Sequence, residues 1–173
     1  MKNLIRKYAG FVLLLILFVV LDQVTKHWAS QTLKNGADIV VIKGVFSFHY
    51  LENTGMAFGL LKDQQVFFYI MTALILAAMC WLFVKTPPVK RYMPLLVFYT
   101  MIAGGAVGNL IDRALQKYVV DFLYFSLIDF PVFNVADCFV TVGCILLMIW
   151  MIFVYKDDEL NFYHFRKDAD GEV

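Results

Sequence analysis

The sequence predicts an α-helical integral membrane protein of four transmembrane helices, with both termini cytoplasmic and a small extracytoplasmic β-element. Three observations carry that expectation. The 173 residues are 61% hydrophobic and only 17% charged, with a mean hydropathy of +0.71, well above what a soluble domain shows. Four apolar runs each approach the ~20 residues needed to cross hydrocarbon. Lys and Arg concentrate in the segments that would share one side of the membrane.

The first span is placed at residues 8–29. Lys2, Arg6 and Lys7 precede an apolar core as in a signal peptide, but no small-residue cleavage pattern follows, so the segment reads as an uncleaved anchor. Next comes Ala37 to Leu51, rich in Ile, Val and Phe with Lys43-Gly44 at its centre, which reads as two strands joined by a tight turn. Phe46, Phe48 and Tyr50 alternate along it and give one aromatic face, suited to resting on lipid or on a lipid-bearing ligand. The second and third spans, 66–84 and 93–113, flank a Pro87-Pro88 turn whose Lys85, Lys90 and Arg91 belong on the side of the N-terminus. The fourth span covers 135–155. The tail 156–173 mixes acids with Lys156, Arg166 and Lys167 and is expected to be solvated and poorly ordered. No repeat or linker divides the chain, so residues 1–173 form a single membrane domain.

Composition also excludes classes. A formal net charge of +1 gives no field suited to nucleic acid. Cys80, Cys138 and Cys144 lie in apolar stretches without CxxC spacing, and His27, His49 and His164 lack the spacing of a metal site.

The acids are more informative. An ionised Asp inside a bilayer is costly, about 2.5–3.5 kcal/mol at the centre on insertion scales, so each one in or beside a span needs a reason. With the predicted topology, Asp22 near the end of span one, Asp112 at the end of span three, Asp121 in the following connection and Asp137 at the start of span four fall at one depth, near the outer boundary. Asp22 has a structural reason in Lys26, four residues on along the same helix face. Asp112 and Arg113 fit an anchoring pair, although Arg is also the side chain that forks onto a carbonyl or carboxylate. Asn134 and Asp137 fit a helix N-cap with an acid at the third position. Asp121 stands in a β-branched, aromatic stretch and has the weakest structural reason of the four. Set beside a second carboxylate it would share a proton, and such a pair can hydrolyse a peptide bond. Gly104 and Gly108 read as close helix packing, while Asn53 and Asn109 could hold a substrate backbone. A Ser-Lys site built from Lys26 with Ser30, Ser47 or Ser126, an ion-coupled transporter and a non-catalytic assembly factor are the competing readings.

Five segments in order resemble lipoprotein signal peptidase, the signal peptidase II family of aspartic peptidases. They are Asp22-Gln-Val-Thr-Lys26, Glu52-Asn53-Thr-Gly55-Met-Ala-Phe58, Gly104-Gly-Ala-Val-Gly-Asn109-Leu-Ile-Asp112-Arg113, Val119-Val-Asp121-Phe122 and Phe133-Asn134-Val-Ala-Asp137. The resemblance implies a bacterial inner-membrane, multi-pass endopeptidase with its active site at the extracytoplasmic face. It would remove signal peptides from diacylglyceryl-modified prolipoproteins just before the lipidated cysteine, without metal or organic cofactor, and bind globomycin-type peptide inhibitors. By the same resemblance Asp121 and Asp137 are the catalytic dyad. Asn53, Gly55, Asn109, Asp112, Arg113, Asn134 and Ala136 line the site, Asp22 and Lys26 support it, and the β-element cradles the lipidated segment. Met56, where a smaller residue is expected, and Cys138, directly after the second Asp, depart from the pattern.

Overall fold

The computed structural model describes residues 1–55 and 64–163. Met56 and Phe58 of the second motif, and the acidic tail from His164 onward, lie outside the described residues. Four helices, α1 (Lys2–Thr32), α2 (Gln65–Lys85), α3 (Met93–Gln116) and α4 (Val135–Phe153), are long and apolar enough to cross a membrane. The 31 residues of α1 extend about 46 Å at 1.5 Å per residue, against ~30 Å of hydrocarbon. Its ends therefore project beyond the apolar layer, which is why the helix begins at Lys2 rather than near Tyr8 and tolerates Arg6 in its first turns.

The bundle is arranged around α3, which packs against the other three helices. The most apolar 18-residue stretch of α3 has a mean hydropathy of 1.6, against 2.3 for the corresponding stretch of each other helix, and it is the most buried of the four. Lipid solvates Leu and Ile as well as a protein core does, so apolar faces are left outside and helices meet through small and polar residues. The residues that α1 buries are Lys7, Asp22, Lys26 and Ala29, while Val12, Leu13 and Ile16 face outward. A Cβ added to Gly104 would sit 2.8 Å from Cβ of Phe18, and one added to Gly105 would strike the carbonyl oxygen of Ala136. The glycines of α3 thus set how near α1 and α4 approach.

At one end of the bundle lies a three-stranded antiparallel sheet of order β1-β2-β3, from β1 (Ile39–Ile42), β2 (Phe46–Asn53) and β3 (Val119–Tyr124). The β1–β2 hairpin turns at Gly44, whose φ of 73° is easy only for glycine. The third strand was not expected: the connection after α3 pairs back on β2, with Asp121 opposite Leu51. The aromatic face of β2 is partly covered by the protein itself. Phe48 packs edge-on to Trp28 of α1 at 5.2 Å, and Phe46 meets Phe125 at 5.0 Å.

The opposite end is closed by polar contacts. Lys7 Nζ donates to the carbonyl oxygens of Thr86 at 2.7 Å and Val84 at 3.3 Å, closing the C-terminus of α2. The start of the tail, expected to be loose, forms a 3-10 turn at Asp157–Tyr163. Arg91 grips both oxygens of Glu159 at 2.9 and 3.0 Å, and the Tyr163 hydroxyl bonds those of Thr86 at 2.7 Å and Tyr99 at 2.6 Å.

Candidate active site

The sheet positions Asp121, and α4 positions Asp137. Strand pairing fixes the backbone of Asp121 and directs its side chain inward, where the residue is 2% exposed. Asp137 stands in the first turn of α4, where Asn134 and Asp137 form a reciprocal capping box. The backbone N–H of Asp137 donates to Asn134 Oδ1 at 3.0 Å, and that of Asn134 donates to Asp137 Oδ2 at 3.1 Å. The spare donor of the same amide, Asn134 Nδ2, reaches Asp121 Oδ1 at 2.6 Å. One fully buried asparagine therefore holds both candidate carboxylates.

A second asparagine steadies each acid. Asn53 Nδ2 donates to Asp121 Oδ2 at 2.8 Å, and the Asn53 carbonyl is itself oriented by the N–H of Gly55 at 2.9 Å. Asn109 Nδ2 donates to Asp137 Oδ1 at 2.9 Å, and its carbonyl accepts from Lys26 Nζ at 2.8 Å. Beneath them lies a buried ionic group. Lys26 Nζ is 2.9 Å from Asp22 Oδ2 and 3.0 Å from Asp112 Oδ2. Asp22 Oδ1 accepts from the N–H of Ala136 at 2.9 Å, and Asp112 Oδ2 accepts from the N–H of Val120 at 3.2 Å. The support thus bonds the backbone beside each candidate acid: Ala136 precedes Asp137, and Val120 precedes Asp121.

Lys26 has three protons, and Asp22, Asp112 and Asn109 take all three. Nothing remains with which to activate Ser30, Ser47 or Ser126, which removes the physical basis for a Ser-Lys site. Arg113 behaves differently from its neighbour Asp112. Its guanidinium lies 4.3 Å from the ring centroid of Phe68, at the wall of a cavity of about 620 Å³ that Asp121, Asp137 and Asn53 also line. The rest of the wall, including Phe130, Val132 and Val142, is apolar. Cys138 lines it too.

Burial pushes the Asp121 carboxyl up to about 7, reinforced by the charge of Asp137 and opposed by the amides of Asn53 and Asn134. Desolvation outweighs two hydrogen bonds here because the side chain is almost wholly removed from water.

All eleven residues singled out from the sequence fall in or directly beneath this site. Gln23 was missed. Its Nε2 donates to Asp112 Oδ1 at 2.9 Å, Gly108 O at 3.2 Å and Asp22 Oδ2 at 3.2 Å, joining α1 to α3. The signal was an amide within a span beside Asp22, where any polar side chain needs a partner. Gly108 also belongs to the site: a Cβ there would overlap the Asp22 carboxylate.

Comparison with known proteins identifies the family. The family model for signal peptidase (SPase) II matches residues 14–153. A lipoprotein signal peptidase of Clostridium tetani is 47% identical over 85% of this chain and 93% of its own, and one of Streptococcus pyogenes is 40% identical over 80% and 90%. Two solved structures of bacterial membrane enzymes, determined by the in meso method, superpose with TM-scores of 0.74 and 0.72 at 32% and 34% identity. They cover 95% and 85% of this chain and 94% and 95% of their own. With most of its length matched, its spans in place and paired carboxylates on one cavity wall, the chain belongs to the signal peptidase II family.

Proposed function

We propose that Asp121 and Asp137 are the catalytic dyad with which this bacterial multi-pass membrane peptidase processes prolipoprotein signal peptides, cutting just before a diacylglyceryl-modified cysteine. The observation that carries this reading is the pair of carboxylates tied together through Asn134 at the wall of the cavity. Asp121, with its carboxyl pushed up to about 7, holds the proton of the pair below that pH. Asp137, held by Asn109 and the helix N-terminus and only half buried, is suited to act as base.

The carboxylate of Asp137 takes a proton from a water, whose oxygen attacks the scissile carbonyl carbon. The Asp121 hydroxyl gives its proton to the carbonyl oxygen. Collapse of the resulting gem-diol returns a proton to Asp121 and expels the amine that Asp137 protonates. Arg113 faces the same cavity and can hold a substrate carbonyl, while Asn53, Gly55, Asn109, Asp112, Asn134, Ala136, Asp22 and Lys26 keep the dyad in place. Globomycin-type peptide inhibitors would occupy this cavity.

The N-terminus, the loop after α2 and the start of the tail meet at one end of the bundle, joined by Lys7–Thr86 and Arg91–Glu159. Lys2, Arg6, Lys85, Lys90 and Arg91 at that end support a cytoplasmic placement in the inner membrane, with the dyad extracytoplasmic. The test is cleavage of purified diacylglyceryl-modified prolipoprotein, with unmodified precursor as control and EDTA present. Wild type should cut only the lipidated form, and folded Asp121→Asn and Asp137→Asn should each lose at least about a thousandfold in rate. Normal cleavage by either variant would refute the assignment.

A further inference from the structure

Between β3 and α4 the chain makes a turn that the dyad does not explain. Phe125 is 41% exposed, Leu127 67%, Ile128 69% and Phe130 48%. Four large apolar side chains in one short segment outside a span form an unusual surface. Nor is the segment loosely attached. Its 3-10 turn Ser126–Ile128 ends at Asp129, whose φ is 47°, and the N–H of Phe130 returns to the carbonyl of Phe125 at 3.1 Å. Tyr124 Oη donates to Asp129 Oδ1 at 2.7 Å, and Phe125 stacks on Phe133 at 5.9 Å. The fold thus holds Leu127 and Ile128 outward on a fixed base.

We propose that the turn Phe125–Pro131 is a membrane-inserted lip, with Leu127 and Ile128 among the acyl chains of the leaflet at the sheet end. Continuity of surface supports this occupant. The turn lies a few residues before Val135, where α4 begins, and that helix presents Val142, Ile145 and Met148 to lipid. Phe130 and Pro131 join the two regions by lining the cavity together with Val142. Phe130, two residues beyond Ile128, stands on the same cavity wall as the carboxylates, so a diacylglyceryl ligand can pass from the leaflet beside the lip toward them. This second step rests on the dyad reading. Insertion of the lip does not.

Both parts can be measured on the full chain in phosphatidylcholine vesicles. Ile128→Trp and, separately, Leu127→Trp add an emitter at positions already exposed, with wild type supplying the background of its three native tryptophans. Lipids brominated on their upper acyl carbons should quench the added emission at least about twofold more than unbrominated lipids do. Equal quenching in both lipids would place the lip in water and overturn the proposal, as would protection of the added emitter by contact between two copies. Leu127→Ser/Ile128→Ser should raise KM for the lipidated substrate about tenfold with kcat kept. Unchanged KM in that variant would overturn the delivery step alone, and quenching still decides insertion if the dyad assignment fails.

Discussion

Asn134 donates to Asp121 Oδ1 at 2.6 Å while its own carbonyl caps the first turn of the helix that carries Asp137. A single side chain therefore fixes a strand to a helix and sets the spacing of two acids that come from separate elements. Neither the sheet nor the bundle alone makes that geometry.

Serine at this position should separate the two tasks. Asn134→Ser keeps an N-capping oxygen but is too short to reach Asp121. Thermal stability should stay within about 1 kcal/mol of wild type, while cleavage falls ~10–100-fold. Asn134→Ala should lose both, and a parallel melt and cleavage assay in detergent distinguishes the cases.

Cleavage should depend on pH through Asp121. The native carboxyl titrates at about 7, well above the unfolded value of 3.8, because desolvation disfavours its charge. In the proposed mechanism the protonated form serves as the acid and is lost above that value, so kcat/KM should fall with a limiting tenfold per pH unit above about pH 7. The stability contribution has the same sign: it is fully present below pH 3.8 and is lost as pH rises through about 7. Asp121→Asn should flatten this dependence of the melting temperature, and a profile unchanged by that substitution would contradict the shifted group.

Lys26→Met should leave Asp22 and Asp112 buried without their cation. A cost of about 3–5 kcal/mol is expected for breaking such a group, read as a lowered melting temperature together with lost cleavage. Asp22→Asn/Lys26→Met should be less damaging than the two single effects added, because the partners share one interaction.

Gly105→Ala should be more harmful than Gly10→Ala, although both lie on membrane helices. A Cβ at Gly105 meets the backbone of Ala136 and lies 2.8 Å from Val140 Cγ2, whereas Gly10 has nothing within 4 Å. Pushing α4 from α3 displaces Asp137 from Asn109, so cleavage should fall at least about tenfold and stability by about 1–3 kcal/mol. Gly10→Ala should be neutral or slightly stabilising.

The spans were legible because a bilayer demands length and apolarity, and α2 and α4 satisfy both without ambiguity. Asp121 was legible as an acid lacking a local reason. Its strand was not, since β3 exists only through pairing with β2, and no period within Val119–Tyr124 announces a distant partner. The contact of Phe48 with α1 was not legible for the same reason: alternation shows that a face exists but not that Trp28 packs on it. Gln23 escaped because an amide between two charged residues looks like part of a polar helix end until its three acceptors are seen.

The inverted layout of the bundle has a consequence for how this chain can vary. In a water-soluble domain the surface is free to change and the interior is constrained by volume. Here the outward residues of α1, α2 and α4 answer only to solubility in acyl chains, so one aliphatic serves nearly as well as another. Specific information is concentrated in a narrow polar seam of Asp22, Gln23, Lys26, Asn109 and Asp112, together with the glycines that let it close. Random exchange among Leu, Ile, Val and Phe across the lipid face should be broadly tolerated, whereas one methyl group added at Gly108 should be felt at the proposed dyad.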